Sequence, residues 1–162
     1  MPILHIQYGN SVGQTVDGQS AQLPPQVTLL SKGPIIQVSI GLEQNLAAQL
    51  VQQGQVIPSP QSGLGLIDTG ASVTCVDDAL ARALNLPVID VVQMTSASHA
   101  AIPQNVYPIQ LEIIGYPIKI NVPRAMGANL APQGIVALIG RDFLQHGTLF
   151  YNGFTGAITL SI

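Results

Sequence analysis

The stretch Leu66-Ile67-Asp68-Thr69-Gly70-Ala71-Ser72 decides the fold. Two branched apolar residues run into a carboxylate, and four small residues follow. The pattern predicts a central strand, Leu64 to Asp68, that delivers an acid to a tight turn. A carboxylate carried toward an interior is costly to ionise without partners, so the arrangement is a candidate for chemistry. Thr69 adds a hydroxyl that can hydrogen-bond. Gly70 leaves room for another backbone, a substrate or a second subunit. A plain strand ending in a polar turn reads the same way, so the flanking chain has to separate the two.

Upstream of the motif, Ile36, Val38 and Ile40 alternate with Gln37 and Ser39, a half-buried strand over Ile35 to Ile40. The period then changes. Leu42, Leu46, Ala47, Leu50 and Val51 fall on one helical face, with Glu43, Gln44, Gln49, Gln52 and Gln53 opposite and Gly54 as the stop. Earlier still, Ile3 to Gln7 and Val27 to Leu30 read as short strands. Tyr8 to Gln22 reads as loop or loose hairpin turning at Asp17-Gly18.

Downstream, Ser72 to Val76 reads as a strand. Asp77 or Asp78 caps a short helix that Asn85 and Pro87 end. Val88 to Met94 and Asn105 to Ile109 form a long hairpin with a small-residue tip. Leu111 to Ile114 and Pro117 to Val122 flank a turn at Gly115-Tyr116. Arg124 to Gly134 reads as loop, and Ile135 to Ile139 as a buried strand. A short helix from Arg141 closes at Gly147, and a terminal hairpin joins Leu149–Asn152 to Ala157–Ile162. Many short strands with frequent turns, and two or three short helices, predict a mostly-β barrel or sandwich.

Composition narrows the function. Hydrophobic residues make up 47% of the 162-residue chain and charged residues 8%. That charge is far below the usual quarter or so of a soluble domain, and it rules against disorder. Five basic and eight acidic residues leave a net charge of −3, with no footprint for nucleic acid. A surface this poor in charge suits a subunit that buries part of itself in a partner. Cys75 is the single cysteine, so no intrachain disulfide is expected; in its apolar run it reads as a buried thiol. His5, His99 and His146 are scattered, and neither a metal site nor a cofactor is expected. Met1 to Asn10 does not read as a secretory signal, and no run is long enough for a membrane span. The cytoplasm is the favoured compartment.

About seventy residues after Asp68 stands a second signature, Leu138-Ile139-Gly140-Arg141-Asp142-Phe143-Leu144. Together with Asp68-Thr69-Gly70-Ala71, it resembles the retropepsin-like aspartic protease family, in which such a segment packs beneath the active-site loop. The helix after the motif looks like cellular and bacterial members rather than viral ones. The resemblance covers residues 33–162, with residues 42–53 as a helical insertion. Residues 1–32 stand outside it as an N-terminal extension with short strands, a candidate dimer arm or pro-segment. It implies a closed barrel, one lobe per chain, and an aspartic endopeptidase.

That chemistry needs two carboxylates sharing a proton across a water, and the pair titrates as a unit. The chain holds one Asp-Thr-Gly and is too short for two lobes, so the second acid is Asp68 of another copy in a symmetric homodimer. By resemblance, the Thr69 hydroxyl braces the two loops across the axis and the Gly70 carbonyl meets the substrate backbone. Ala71 and Ser72 border the cleft, and Ala71 implies a mildly acidic optimum. The hairpin of residues 91–109, with Ser96, Ala97, Ser98 and His99 at its tip, resembles a flap closing on an extended peptide. The strands at Leu160 to Ile162 and Ile3 to Gln7 resemble those that build the sheet between subunits. Two departures stand out. Ser72 occupies the place of the acid that pairs with the arginine in viral members, leaving Asp77, Asp78 or Asp142 for Arg141. The flap tip also lacks glycine. The rival function is a catalytically silent, dimeric peptide-binding or scaffolding domain of the same fold.

Overall fold

The computed structural model describes residues 2–14, 17–96 and 99–162, with the backbone alone at 95, 96 and 99–101. Strand β1 (Ile3–Gln7) leads into a small hairpin, β2 (Ser11–Gln14) and β3 (Ser20–Leu23). Helix α1 (Pro25–Lys32) follows, then β4 (Ile35–Leu42), α2 (Gln44–Gln52) and β5 (Gln61–Ile67). Beyond the Asp68 loop come β6 (Cys75–Asp77), α3 (Asp78–Ala83), β7 (Asp90–Ser96), β8 (His99–Ile113) and β9 (Ile118–Ala128). Strand β10 (Ala137–Ile139), α4 (Arg141–Leu144), β11 (Thr148–Asn152) and β12 (Ala157–Ser161) complete the chain.

The hydrogen-bonded order β4-β5-β10-β6-β9-β8 closes on itself, because β4 pairs with both β5 and β8. This is a closed six-stranded barrel in a mostly-β fold. Strand β7 adds to the N-terminal half of β8 outside the ring. Val38, Ile40, Ile67, Val76, Ile109, Leu111 and Ile139 fill the interior, each 3% exposed or less. A three-stranded sheet, β1-β12-β11, packs beside the barrel, and Leu4, Ile158 and Leu160 join the same core.

Three readings are corrected. Val27 to Leu30, expected as strand, lies in α1: Pro25 stands at the first helical turn, where its missing N–H costs nothing, and Gly33 ends the helix at φ 71°. The expected break between Ile109 and Leu111 is absent; β8 runs through Pro103 and Pro108, with a register shift against β9 between Tyr107 and Ile109. The expected loop from Arg124 is strand to Ala128, because β9 changes partners there and pairs in parallel with β6. The helix of the insertion begins at Gln44, where the Glu43 carboxylate accepts from the Leu46 N–H. Asn85 takes φ 51°, the left-handed turn its position anticipates.

Acids hold the joints between these elements. Asp77 is 5% exposed and accepts from the N–H groups of Leu80, Leu130 and Ala131, capping α3 and pinning the chain before β10. Asp78 accepts from the Tyr107 hydroxyl at 2.7 Å and the Asn105 amide at 2.9 Å, and pairs with Arg82 one helical turn away. Burial alone would raise the Asp78 pKa; the hydrogen bonds from Tyr107 and Asn105 and the Arg82 charge outweigh it and hold it below its ordinary 3.8. Its stabilisation is therefore complete above pH 3.8 and is lost as pH falls through the lowered folded value. Asp78→Asn should lower stability at neutral pH by about 1–2 kcal/mol. In urea titrations the gap to wild type should narrow as pH falls below about 3.8 and through the lowered folded value; a gap independent of pH would contradict this assignment.

Candidate active site

The site grows from a pair of parallel strands. β5 and β10 run side by side, Gly65 against Ala137 and Ile67 against Ile139, and end at the same level. One opens into the Asp68 loop and the other into Gly140 and α4. The Asp68 N–H donates to the Ile139 carbonyl at 3.0 Å. The Arg141 N–H donates to the Ala71 carbonyl and the Asp142 N–H to that of Ser72, at 3.0 and 3.2 Å. The second signature thus forms the floor of the loop.

Side chains tighten the contact. The Asp142 carboxylate accepts from the Thr74 N–H at 2.9 Å and the Thr74 hydroxyl at 2.8 Å. Arg141 Nη1 donates to the carbonyls of Thr69 and Gly70, at 2.7 and 3.1 Å. Arg141 therefore pairs with the loop's own backbone, not with Asp77, Asp78 or Asp142 as the sequence suggested. The physical reason is position: α4 starts beneath the loop, and Asp142 is already engaged by Thr74. Asp142 and Thr74 are the residues that sequence reasoning missed in this role. Their signal was a hydroxyl in the apolar run before Val76 and an acid beside the signature arginine.

Asp68 sits half-buried at the loop mouth, and its Oδ1 accepts from the Gly70 N–H at 2.8 Å. A Cβ at Gly70 would lie 3.0 Å from that oxygen, so glycine here keeps the carboxylate uncrowded. Thr69 and Gly70 are exposed, Ala71 is half-buried and Ser72 is exposed. These five are contiguous on one loop. A cavity of about 360 Å³ opens beside Asp68 and Thr69, walled by Pro34, Leu66, Leu149 and Tyr151. Among its lining residues Asp68 is the only acid.

A larger apolar cavity of about 550 Å³ lies on the other flank, between Val92 and Val106 on the long hairpin, Val122 and Met126 on β9, and Phe143 on α4. It reaches Val73, just past the loop, and does not reach Asp68. Of the expected tip residues, Ala97 and Ser98 lie outside the described residues. Ser96 and His99 pair with each other at the end of β7 and β8, and only their backbone is described. No cluster of three or more His, Cys, Asp or Glu stands close enough for a metal among the described residues.

Cys75 is 1% exposed beneath the loop, in a small cluster with Leu130 and Ile135. Burial, then the charges of Asp142 and Asp68, push its thiol up to about 11.

No protein-family model matches the chain, and no curated protein does. The crystal structure of a retropepsin-like aspartic protease from Rickettsia conorii is similar over 96% of this chain and 95% of that one, at a TM-score of 0.42 and 12% identity. A likeness at that level carries no argument about the chemistry of the site. No described helix is long and apolar enough to cross a membrane.

Two outcomes are expected of this site. At Gly140 the backbone φ is −85°, which any residue adopts, yet a Cβ would lie 2.5 Å from the Val73 carbonyl carbon and 2.9 Å from the Thr74 nitrogen. Gly140→Ala should therefore cost about 3 kcal/mol in chemical denaturation, the upper range for overpacking; a loss under about 0.5 kcal/mol would mean the two backbones separate freely. Cys75 should resist a maleimide at neutral pH in the native protein and react at once in denaturant.

Proposed function

We propose that the chain is an aspartic endopeptidase active as a homodimer, with one Asp68 from each subunit. The observation that carries this reading is the clasp of the Asp68 loop by Gly140, Arg141 and Asp142. A carboxylate is held half-buried at the mouth of a rigid turn, while the polar backbone of that turn is fixed from below. Such rigidity is what a shared-proton pair needs, since two carboxylates about 3 Å apart titrate together only if both are held in place.

Within this reading, one Asp68 is ionised and takes a proton from the water between them. The other is neutral and donates to the scissile carbonyl oxygen, stabilising the negative charge that develops there. The proton taken from the water then passes from the first Asp68 to the amide nitrogen as the C–N bond breaks, and the second Asp68 recovers its proton as the new carboxyl group forms. The Gly70 N–H, donating to Asp68 Oδ1 at 2.8 Å, holds the carboxylate in one orientation on its loop. Thr69 stands at the exposed crest of the loop, suited to bracing the partner loop. The strand hairpin β7–β8 is suited to lie over an extended peptide, with Ser96, Ala97, Ser98 and His99 as the covering tip. The apolar walls around Asp68, Leu66 and Leu149 above all, favour hydrophobic side chains on either side of the scissile bond.

One observation bears on peptide binding in either reading, protease or silent domain. The Gly70 carbonyl, the acceptor assigned to substrate backbone by resemblance, already receives Arg141 at 3.1 Å. A carbonyl oxygen has two lone pairs, so it can serve both, and the longer of the two Arg141 bonds is the one to Gly70.

A peptide-library digestion across pH separates the readings. Wild type should cleave, and Asp68→Asn should lose at least roughly 10³-fold of that rate, since no general base remains. Its melting temperature and any peptide binding should be retained. A dimeric wild type that cleaves nothing at any pH would leave the silent domain as the function.

A further inference from the structure

We propose that Asp78 and Tyr107 form the pivot from which the β7–β8 hairpin is aimed, so that Tyr107 is a positioning residue for peptide binding although it lies buried in the barrel wall. This rests on the reading of that hairpin as the cover over an extended peptide, and it names what sets the cover's angle.

Strand β8 belongs to two structures. From Ile109 to Ile113 it pairs with β4 and β9 as a wall of the closed barrel. Among the described residues, Ile102 to Asn105 pair with β7 alone, as one arm of the hairpin. Val106 is shared, set against Asp90 on one side and Met126 on the other. The register with β9 shifts between Tyr107 and Ile109, around Pro108, and such a step bends a strand. The hairpin therefore leaves the barrel between Asn105 and Pro108. Beyond that point it is a two-stranded ribbon, which has little stability of its own, so its direction is decided at its root.

One carboxylate oxygen grips that root on both sides of the junction. Asp78 Oδ1 accepts from the Tyr107 hydroxyl at 2.7 Å and from the Asn105 amide at 2.9 Å, and the same amide donates to the Tyr107 oxygen at 3.2 Å. Asn105 belongs to the outgoing arm and Tyr107 to the barrel, so the three groups lock the angle between the two. The triangle reaches α3 through a window in β9: a Cβ at Gly127 would lie 2.8 Å from Asp78 Oδ1 and 3.0 Å from Tyr107 Cε2. Burial and the hydrogen bond to Asp78 raise the Tyr107 pKa above its ordinary 10.0, so the hydroxyl remains a donor at neutral pH.

Other contacts at the root are weaker. Asp90, at the start of β7, pairs with Arg124 on β9, but both side chains are largely open to solvent, where an ion pair contributes little. The hairpin also has room to swing. The apolar cavity of about 550 Å³ lies between its Val92 and Val106 and the residues Val122, Met126 and Phe143 of β9 and α4. Close packing is what ordinarily fixes an element in place, so a space of this size beside one arm leaves its angle to the hydrogen-bonded root.

The test compares, in the whole chain, Tyr107→Phe with Tyr116→Phe, which loses a hydroxyl just past the far end of β8, where Tyr116 donates to the His5 carbonyl. In Tyr107→Phe the backbone amides of residues 90–94 and 102–106 should exchange with deuterium about fivefold faster, the order expected from one lost hydrogen bond, while those of β5 and β10 exchange as in Tyr116→Phe. Against a peptide that wild type cleaves, its KM should rise about fivefold with kcat within about twofold, because a misdirected cover weakens binding without touching the reacting atoms. Tyr116→Phe should change neither constant. Asp78→Asn loses stability yet keeps an amide oxygen for the Tyr107 hydroxyl, so its KM should stay near wild type. Asp78→Ala has no acceptor there and should raise KM at least as much as Tyr107→Phe. A Tyr107→Phe protein whose exchange rises equally in β5 and β10, or whose KM is that of wild type, overturns the pivot and leaves the protease reading standing. A wild type that cleaves nothing overturns the protease reading, and the exchange comparison still decides the pivot.

Discussion

At Gly140 two backbones pass with no space for a single methyl group between them. The strand leaving Ile139 slides under Val73 and Thr74, and three flanking backbone hydrogen bonds tie it to the Asp68 loop. The closeness matters because each bond is short only when both chains are stiff. β5 and β10 supply the stiffness, as parallel neighbours in a closed barrel. Closing the ring through β4 and β8 leaves those strands without a free edge, so the loop and its floor cannot shear apart without opening the barrel. The half-buried carboxylate therefore stands on one of the most constrained parts of the molecule.

A chain with so few charges puts most of its acids to structural use. Of the eight, Glu43 caps α2, and Asp77 caps α3 while holding Leu130 and Ala131. Asp78 anchors Tyr107, Asp142 anchors Thr74, and Asp68 takes the Gly70 N–H. Asp90 and Glu112 pair with Arg124 and Lys119 across strands at the surface, where the gain is small. No buried side-chain oxygen or nitrogen among the described residues is left without a partner. The acids act less as surface charge than as multiple acceptors for backbone donors at places where elements meet.

The central features were legible because their causes are local. The β5 strand, the loop after Asp68, the Asn85 stop and the α2 stripe each follow from side-chain period or turn chemistry in a few adjacent residues. What escaped depended on contacts distant in sequence. Residues 124–128 read as loop because nothing nearby announces a parallel partner; β6, about fifty residues earlier, supplies it. Val27 to Leu30 read as strand because three branched or long apolar residues outweighed the proline signal that starts α1. The partner of Arg141 could not be read at all. The pattern showed which carboxylates stood near in sequence, whereas the arginine found carbonyls, which every residue carries.

The pairing of β1 with β12 has a consequence in time. His5 and Thr159, whose side chains share a hydrogen bond at 2.8 Å, are 154 positions apart. At ribosomal rates of about 5–20 residues per second, β1 waits on the order of ten seconds or more for its partner strand to be made. During that interval the barrel strands β4 to β9 become available to one another, with β10 following shortly before β12. The free edge of β11 acquires its backing strand, and so its rigidity, only with the last hairpin. The Asp68 loop is consequently made well before the side sheet is complete, so the sheet is the last part of the molecule to form.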